Sequence, residues 1–186
     1  MTTLITLFHP NYGQSNANRA LANAAGALDA VEIVDMYGLY GEGGTIDMDL
    51  EVARLIAADR LILQFPVMWY APPPPLNAWQ DAVLTRMYYI AAEEGERLRD
   101  MPVMVAATAG NVPEAYSSQG INLFPLVDLM KPLQASASRC CWRWTEPFLL
   151  HAANRMGDEA LAGAGRDYAA RIAAWRTGDG AASMAQ

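Results

Sequence analysis

Residues 9–18, HPNYGQSNAN, combine imidazole, hydroxyl and amide side chains with the predicted start of a helix. The N–H groups and the positive dipole at a helix N-terminus favour an anion such as a phosphate. The segment lacks both the glycine spacing of a dinucleotide-binding loop and the Gly-Lys-Ser ending of a nucleoside triphosphate loop. It therefore indicates a phosphate site of another kind. The structural alternative is a helix capped by Ser15, with His9 and Asn18 fixing a turn.

Residues 65–72, FPVMWYAP, place two aromatic side chains at the predicted end of a strand. Trp69 and Tyr70 would form a flat apolar surface beside backbone N–H groups that the strand does not use. A planar heteroaromatic ring could stack there and receive hydrogen bonds along its edge. The alternative is that both rings only cover the core.

Residues 108–111, TAGN, follow another predicted strand, and a second polar stretch begins at Tyr116. Small residues allow a ligand to approach the backbone closely, and the Tyr116 phenol is a hydrogen-bond donor. The alternative is an ordinary turn followed by a surface tyrosine.

Apolar runs that alternate with helical patterns must position these three segments. Strands that are almost entirely apolar are typical of a parallel sheet covered by helices on both faces. Ligands of such sheets lie beyond the carboxyl ends of the strands, which is where the three segments occur. The predicted strands are residues 3–8, 31–35, 61–65, 102–108 and 142–150, the predicted helices are residues 16–25, 49–59, 76–89, 123–133 and 158–176, and residues 38–47 are predicted as a loop.

The length and composition predict one α/β domain over residues 1–177, followed by a flexible tail at residues 178–186. The chain has 186 residues, of which 53% are hydrophobic and 18% charged, so it has enough apolar material for a core and is not intrinsically disordered. The formal net charge is −7, and the basic residues are scattered rather than clustered. Because negative charge repels phosphate backbones, we expect no nucleic-acid partner.

The first residues and the cysteines predict a cytoplasmic protein. Residues 1–8 carry no basic side chain before their apolar run, so they predict a strand rather than a signal peptide. No apolar run reaches the roughly 20 residues that span a bilayer. Cys140 and Cys141 are adjacent, which disfavours a disulfide. The sequence has no spaced pairs of metal-ligand residues, so we expect no structural zinc.

Taken together, the segments resemble the flavodoxin-like NAD(P)H:quinone oxidoreductases. The resemblance is closest to the branch that includes the ancillary proteins of glutathione-regulated potassium-efflux systems, and it spans residues 4–175. The segments that carry it are His9-Pro10 with Ser15-Asn16-Ala17-Asn18, Gln64-Phe65-Pro66-Val67-Met68-Trp69-Tyr70, residues 76–83, Thr108-Ala109-Gly110-Asn111, and Pro147-Phe148 with His151.

The resemblance implies a doubly wound, five-stranded parallel sheet of order 2-1-3-4-5 that binds a flavin without a covalent bond. The flavin would be FMN, with FAD as the alternative, and NADPH or NADH would be the co-substrate. Hydride would pass by a ping-pong reaction from the nicotinamide to the flavin and then to a quinone. By the resemblance, His9, Ser15, Asn16, Ala17 and Asn18 would hold the flavin phosphate, Val67, Met68, Trp69 and Tyr70 would line the ring, and Thr108, Ala109, Gly110 and Asn111 would contact its pyrimidine edge.

The resemblance also implies partners. Members usually form homodimers with the site near the subunit boundary. A second interpretation is a flavin-binding regulatory subunit of a potassium-efflux transporter with weak or lost redox activity, located at the inner face of the membrane through that partner. A one-electron carrier of the flavodoxin type is a third interpretation, but its usual phosphate-loop pattern is missing here.

The chain departs from the family pattern at three site positions. Tyr116 matches a tyrosine that relatives pair with a histidine six residues later, but Asn122 occupies the histidine position. We expect Tyr116 and Asn122 to act at the flavin, with slower quinone turnover because an amide does not hold a proton near neutrality. Where many relatives carry Thr-Thr-Gly-Gly, Ala109 lacks a hydroxyl and Asn111 replaces a glycine, and asparagine tolerates the left-handed conformation of that glycine less freely. Residues 86–96 also differ from the relatives, so the acceptor is the least transferable property.

Overall fold

The computed structural model describes residues 1–178 and contains one parallel sheet with six strands. The strand order is β2-β1-β3-β4-β5, and β6 also pairs with β4. This arrangement confirms the predicted α/β fold and its parallel order. The strands are β1 (Thr3–Leu7), β2 (Val31–Asp35), β3 (Arg60–Pro66), β4 (Pro102–Thr108), β5 (Arg143–Trp144) and β6 (Phe148–Leu150).

The predicted fifth strand at residues 142–150 is two short strands that share one neighbour. Arg143 of β5 pairs with Pro102 at the start of β4, whereas Phe148 of β6 pairs with Ala106 near its end. Pro147 lies between them, and a proline has no N–H to give to a ladder. The prediction of one continuous strand was therefore wrong.

Helices cover both faces of the sheet. Two π-helical segments, Gln80–Leu84 and Arg86–Ile90, extend the fourth helix through the region predicted as helix 76–89. The helices are α1 (Asn16–Gly26), α2 (Met36–Tyr40), α3 (Met48–Ala57), α4 (Pro74–Trp79), α5 (Ala92–Glu96), α6 (Lys131–Arg139) and α7 (Asp158–Thr177).

One helix prediction and one loop prediction were wrong. The helix predicted at residues 123–133 is a 3-10 turn, Leu126–Met130, that leads into α6. Pro132 lies in the first turn of α6, where its missing N–H costs nothing, so this proline marks a helix start rather than an end. Part of the loop predicted at residues 38–47 is α2, whose start is capped by the Asp35 side chain accepting from the Gly38 N–H (3.0 Å).

The core lies on the two faces of the sheet because successive strand residues point in opposite directions. On one face, Leu61 and Leu63 of β3 pack with Trp79 and the helices α3, α4 and α6. On the other face, Ile62 packs with α1 and with Tyr168 of α7. A Cβ on Gly165 would lie 3.1 Å from the Ala20 carbonyl oxygen, so α1 and α7 approach closely there.

No helix within residues 1–178 is long and apolar enough to cross a bilayer. Of the tail predicted at residues 178–186, only Gly178 belongs to the described residues. The single domain over residues 1–177 stays a prediction.

Candidate functional site

The three segments that the sequence indicates as candidate ligand-binding segments meet at the carboxyl ends of β1, β3 and β4. The Phe8 N–H donates to the Gln64 carbonyl (2.8 Å), and the Val67 N–H donates to the Thr108 carbonyl (2.8 Å). The Asn18 side chain of α1 donates to Thr108 Oγ1 (2.9 Å). These bonds fix the segments to one another at a single rim of the sheet.

A cavity of about 360 Å³ lies at the N-terminus of α1. Ser15 caps this helix, and its Oγ accepts from the Asn18 N–H (3.2 Å), so the predicted cap is present. The first N–H groups of a helix have no intrahelical acceptor and carry the positive end of the dipole, which makes this cavity suitable for an anion. Its lining residues are His9, Asn11, Gln14, Ser15, Asn16, Ala17, Asn18, Pro66, Thr108, Ala153, Asn154 and Met156.

His9 contributes a neutral imidazole to this cavity. Burial lowers the pKa of His9 below its ordinary value, and the nearby Asp35 carboxylate opposes that shift in part. His9 Nδ1 accepts from the Asn11 N–H (3.0 Å), so in the neutral ring the proton is on Nε2. His9 therefore offers an N–H donor to an anion without a full charge.

The aromatic segment forms a tight two-residue turn. Met68 and Ala71 exchange two backbone hydrogen bonds (2.9 and 3.1 Å) around Trp69 and Tyr70. Both central residues have positive φ, 46° and 65°, a conformation that glycine and asparagine adopt more readily. The Trp69 side chain is 92% exposed. Trp69 therefore does not cover the core, and the structural alternative for this residue was wrong.

The turn contacts the segment that follows β4. The Tyr70 hydroxyl donates to Asn122 Oδ1 (3.2 Å). The Tyr116 ring meets the His151 ring edge-on, with centroids 5.5 Å apart. Burial raises the pKa of the Tyr116 phenol, and the nearby Tyr70 raises it further, so the Tyr116 hydroxyl stays a donor. Both predicted catalytic residues thus lie at the rim, each beside an aromatic neighbour.

The loop at residues 109–111 is held by the chain after β6. Ala109 N donates to the Leu150 carbonyl, and Ala152 N donates to the Asn111 carbonyl, each at 2.8 Å. A Cβ on Gly110 would lie 2.7 Å from Asn154 Nδ2, so the close neighbour that favours glycine is a side chain of this protein.

Asn111 does not use the left-handed conformation that asparagine can tolerate. Its φ is not among the positive values of the described residues. Its side-chain Oδ1 instead accepts from the Val112 N–H (3.2 Å). The segment turns through this hydrogen bond, so no left-handed residue is needed there.

Sequence reasoning assigned no role at the site to several residues that the structure brings there. Asn154 lines the cavity, His151 contacts Tyr116, and Tyr168 reaches Gln64 from α7. Gln64 offered a signal, because one amide within an apolar strand requires a buried partner. Asn154 and Tyr168 lie far along the chain, and no local pattern marks them, whereas His151 was noted with Pro147-Phe148 in the resemblance but was given no role at the site.

Within residues 1–178, no group of three or more His, Cys, Asp or Glu side chains is arranged to hold a metal ion. The chemistry of the rim instead combines an anion cavity, an exposed aromatic turn and polar groups that donate from two further segments. These features fit a phosphorylated ligand that carries a flat aromatic ring.

Known proteins share this architecture. The glutathione-regulated potassium-efflux system ancillary protein KefF of Klebsiella pneumoniae is 36% identical over 173 residues, which cover 93% of this chain and 96% of the relative. The uncharacterized NAD(P)H oxidoreductase YdeQ of Bacillus subtilis is 32% identical over 172 residues, covering 92% and 86%. The crystal structure of general stress protein 14 from Treponema denticola in complex with FMN superposes with a TM-score of 0.83 at 28% identity, covering 94% and 99%.

A protein-family model described as the flavodoxin-like fold matches residues 1–172, which include the cavity, the aromatic turn and the loop after β4. The chain therefore belongs to the flavodoxin-like family.

Proposed function

We propose that this protein is an NAD(P)H oxidoreductase that binds FMN and reduces quinones or similar two-electron acceptors. The observation that carries the proposal is the anion cavity at the start of α1, which opens at the same rim as the Trp69–Tyr70 turn and residues 108–111. Relatives named NAD(P)H oxidoreductase and a neighbour in complex with FMN support it. FAD is the alternative cofactor, and either NADPH or NADH is the co-substrate.

The cavity residues fit the phosphate of the flavin. The N–H groups at the start of α1 and the neutral His9 would donate to it, because an anion there meets partial positive charge. The flat ring would lie against the aromatic turn, and its pyrimidine edge would face the loop after β4. We assign the phosphate to His9, Ser15, Asn16, Ala17 and Asn18, the ring to Val67, Met68, Trp69 and Tyr70, and the edge to Thr108, Ala109, Gly110 and Asn111.

A bound flavin supplies hydride transfer between a nicotinamide and a quinone. The protein's own groups would orient the two substrates in turn at one face of the rim and hold hydrogen bonds there. The Tyr116 hydroxyl would donate at the polar edge, because its raised pKa keeps it protonated. The Asn122 amide accepts from Tyr70 through Oδ1 and keeps its NH₂ group as a donor.

We further propose that two copies of the chain associate at this rim. An apolar rim patch, defined as Trp69, Tyr70, Ile121, Leu123 and Phe124, has side chains that are 48–92% exposed. Contiguous exposed apolar groups of this kind mark interaction surfaces, and a second copy related by two-fold symmetry would cover them.

The second candidate function is a flavin-binding regulatory subunit of a potassium-efflux transporter. Its support is the 36% identity to the ancillary protein KefF over nearly the whole of both chains. In this case the protein would be held at the inner face of the membrane by its partner, and its redox activity would be weak or lost.

Purification followed by flavin analysis tests these proposals. A yellow protein that releases FMN, and that oxidises NADPH or NADH only when a menadione-like quinone is added, is the expected result. Bound flavin without nicotinamide oxidation would favour the regulatory subunit, and binding to the cytoplasmic domain of a transporter would then be measured. A protein that binds neither FMN nor FAD would contradict both proposals.

A further inference from the structure

Four buried polar side chains form a continuous chain of hydrogen bonds beneath the candidate site. They come from four elements: Tyr168 from α7, Gln64 from β3, Asn18 from α1 and Thr108 from β4. Each is 4% exposed or less. Because buried polar groups are costly unless they are paired, the chain is an organised feature of the interior.

The chain begins at a buried hydroxyl that donates to its neighbour. The Tyr168 hydroxyl donates to Gln64 Oε1 (3.3 Å). Complete burial raises the pKa of Tyr168 far above its ordinary value, so this hydroxyl keeps its proton. A neutral phenol can donate or accept, so the direction of this bond depends on the other partner of the Gln64 amide, the Asn18 carbonyl, which only accepts.

The same direction continues to the rim. Gln64 Nε2 donates to the Asn18 carbonyl (2.9 Å) and approaches Asn18 Oδ1 (3.4 Å). Asn18 Nδ2 then donates to Thr108 Oγ1 (2.9 Å). A reversed Gln64 amide would set its oxygen against the Asn18 carbonyl, two acceptors in contact, so the Asn18 carbonyl fixes the orientation of the amide and the Tyr168 hydroxyl donates to the Oε1 that this orientation presents.

Thr108 lies at the end of this chain and lines the cavity. Its Oγ1 already accepts from Asn18, so its own O–H is left to donate to a group in the cavity. The Asn18 Nδ2 amide thus donates inside the protein, so Asn18 would line the phosphate cavity while its side-chain amide holds Thr108.

We propose that Tyr168, Gln64 and Asn18 are positioning residues that make the Thr108 hydroxyl a directed donor to an acceptor oxygen of the bound cofactor. This inference rests on the proposed function, since the cofactor is the FMN proposed above. It assigns a role at the site to Tyr168, whose ring lies wholly in the core on α7.

Flavin affinity and stability of matched variants test the proposal. We would measure FMN binding to flavin-free protein by fluorescence quenching, and unfolding of the same samples in urea, for Thr108→Val, Thr108→Ser, Tyr168→Phe and the double variant Thr108→Val/Tyr168→Phe. Thr6→Val is the control, because Thr6 is equally buried and its hydroxyl donates to the Ile62 carbonyl (3.3 Å) outside the chain.

Thr108→Val is expected to weaken FMN binding about tenfold and Tyr168→Phe about threefold, whereas Thr108→Ser keeps the wild-type affinity. In the Thr108→Val background, Tyr168→Phe should weaken FMN binding no further, because the donor that it directs is gone. Thr6→Val should leave the affinity unchanged, and its effects should add to those of Tyr168→Phe.

Three outcomes would contradict the inference. Unchanged FMN affinity in Thr108→Val, with wild-type protein binding normally, would overturn the inference alone. Additive effects of Tyr168→Phe and Thr108→Val on FMN binding would show that Tyr168 does not act through Thr108. Wild-type protein that binds no flavin would overturn the proposed function together with the inference, and the unfolding data would then show whether the two residues are coupled in the empty protein.

Discussion

At the scale of single residues, the Trp69–Tyr70 turn has a strained backbone at the rim. Left-handed backbone at a residue with a bulky side chain costs about 1 kcal/mol or more, and two such residues are adjacent here. The turn projects Trp69 almost fully into solvent, where its ring adds little to the core. The strain is therefore consistent with a role in binding rather than in stability.

We expect Trp69→Asn to raise the free energy of unfolding by about 1 kcal/mol, because asparagine tolerates left-handed backbone. The same change should weaken FMN binding, since the ring surface is lost. Urea unfolding and FMN titration measure the two effects. Ile121→Asn, at a similarly exposed apolar side chain without positive φ, is the control and should not stabilise the protein. A Trp69→Asn protein that is no more stable than wild type would count against strain in this turn.

Asn122 gives a second prediction at this scale. Asn122→His should increase the steady-state rate of quinone reduction, because an imidazole can accept and hold a proton near neutrality. The control is Asn122→Gln, which keeps an amide and should give no gain. An unchanged rate in Asn122→His would show that the amide does not limit turnover.

The histidines predict how stability depends on pH. Burial lowers the pKa of His9, opposed in part by Asp35, and burial also lowers the pKa of His151, opposed in part by Glu114. The unfolded chain therefore takes up protons first as the pH falls below about 6.5, and the free energy of unfolding decreases there. Above that pH both rings are neutral in both states, and the effect disappears.

We expect His9→Asn to reduce the loss of stability between about pH 7 and pH 5.5, because the titrating ring is gone while the side-chain oxygen can accept from the Asn11 N–H. Urea unfolding at the two pH values measures this. The chain has only two histidines, so His151→Asn and the double variant complete the comparison. A double variant with the wild-type pH dependence would show that the two histidines do not cause the loss of stability at low pH.

At the scale of elements, a buried carboxylate joins three helices on one face of the sheet. Glu51 of α3 accepts from the Tyr40 hydroxyl of α2 (2.8 Å) and from the Trp79 indole of α4 (3.0 Å), and it pairs with Arg54. Its side chain is 1% exposed. Because these donors are themselves partly or fully buried, they would lose their partner together if the carboxylate were removed.

Glu51→Ala should therefore lower the free energy of unfolding by about 3 kcal/mol or more, since it leaves a charged and two neutral donors unpaired. Chemical unfolding with tryptophan fluorescence as the probe measures it. Glu96→Ala is the control, because Glu96 forms an exposed ion pair with Arg99 (2.8 Å) and should cost less than about 1 kcal/mol. Equal losses in the two variants would contradict a special role for Glu51.

Much of the fold could be predicted because apolar strands and polar rims leave local signals. The strands at residues 102–108 and 31–35 have the predicted bounds. Two of the errors involve prolines, Pro132 and Pro147, since Pro132 at a helix start and a proline at a helix end look alike in sequence. The three segments of the site were predicted because parallel strands bring their ends to one rim. The chain from Tyr168 to Thr108 was not, because hydrogen bonds between distant residues leave no local pattern.

At the scale of the whole molecule, the net charge and the exposed apolar surface act in opposite directions on solubility. The formal net charge of −7 favours solubility, yet the rim patch exposes several large apolar side chains together. A second copy that covered the patch would also shield Trp69 and bring two candidate sites close to the same interface. The proposed homodimer therefore links assembly to the site.

Phe124→Asp should halve the molecular mass in solution, because a charge in an apolar interface is costly to desolvate. Light scattering over a range of protein concentrations measures the mass. Leu39→Asp changes an exposed apolar side chain on α2 outside the patch and should leave the mass unchanged. Wild-type protein that is monomeric throughout would overturn the proposed dimer.

Pro147 interrupts the edge of the sheet that β5 and β6 form beside β4, and this interruption has a consequence for self-association. Unpaired backbone groups along a sheet margin can recruit a strand from another molecule, and the hazard grows with the length of the uninterrupted row. Here that margin is divided into segments of two and three residues, with a residue that lacks an N–H between them. An interrupted row of this kind is a poorer template for an added strand than a continuous edge.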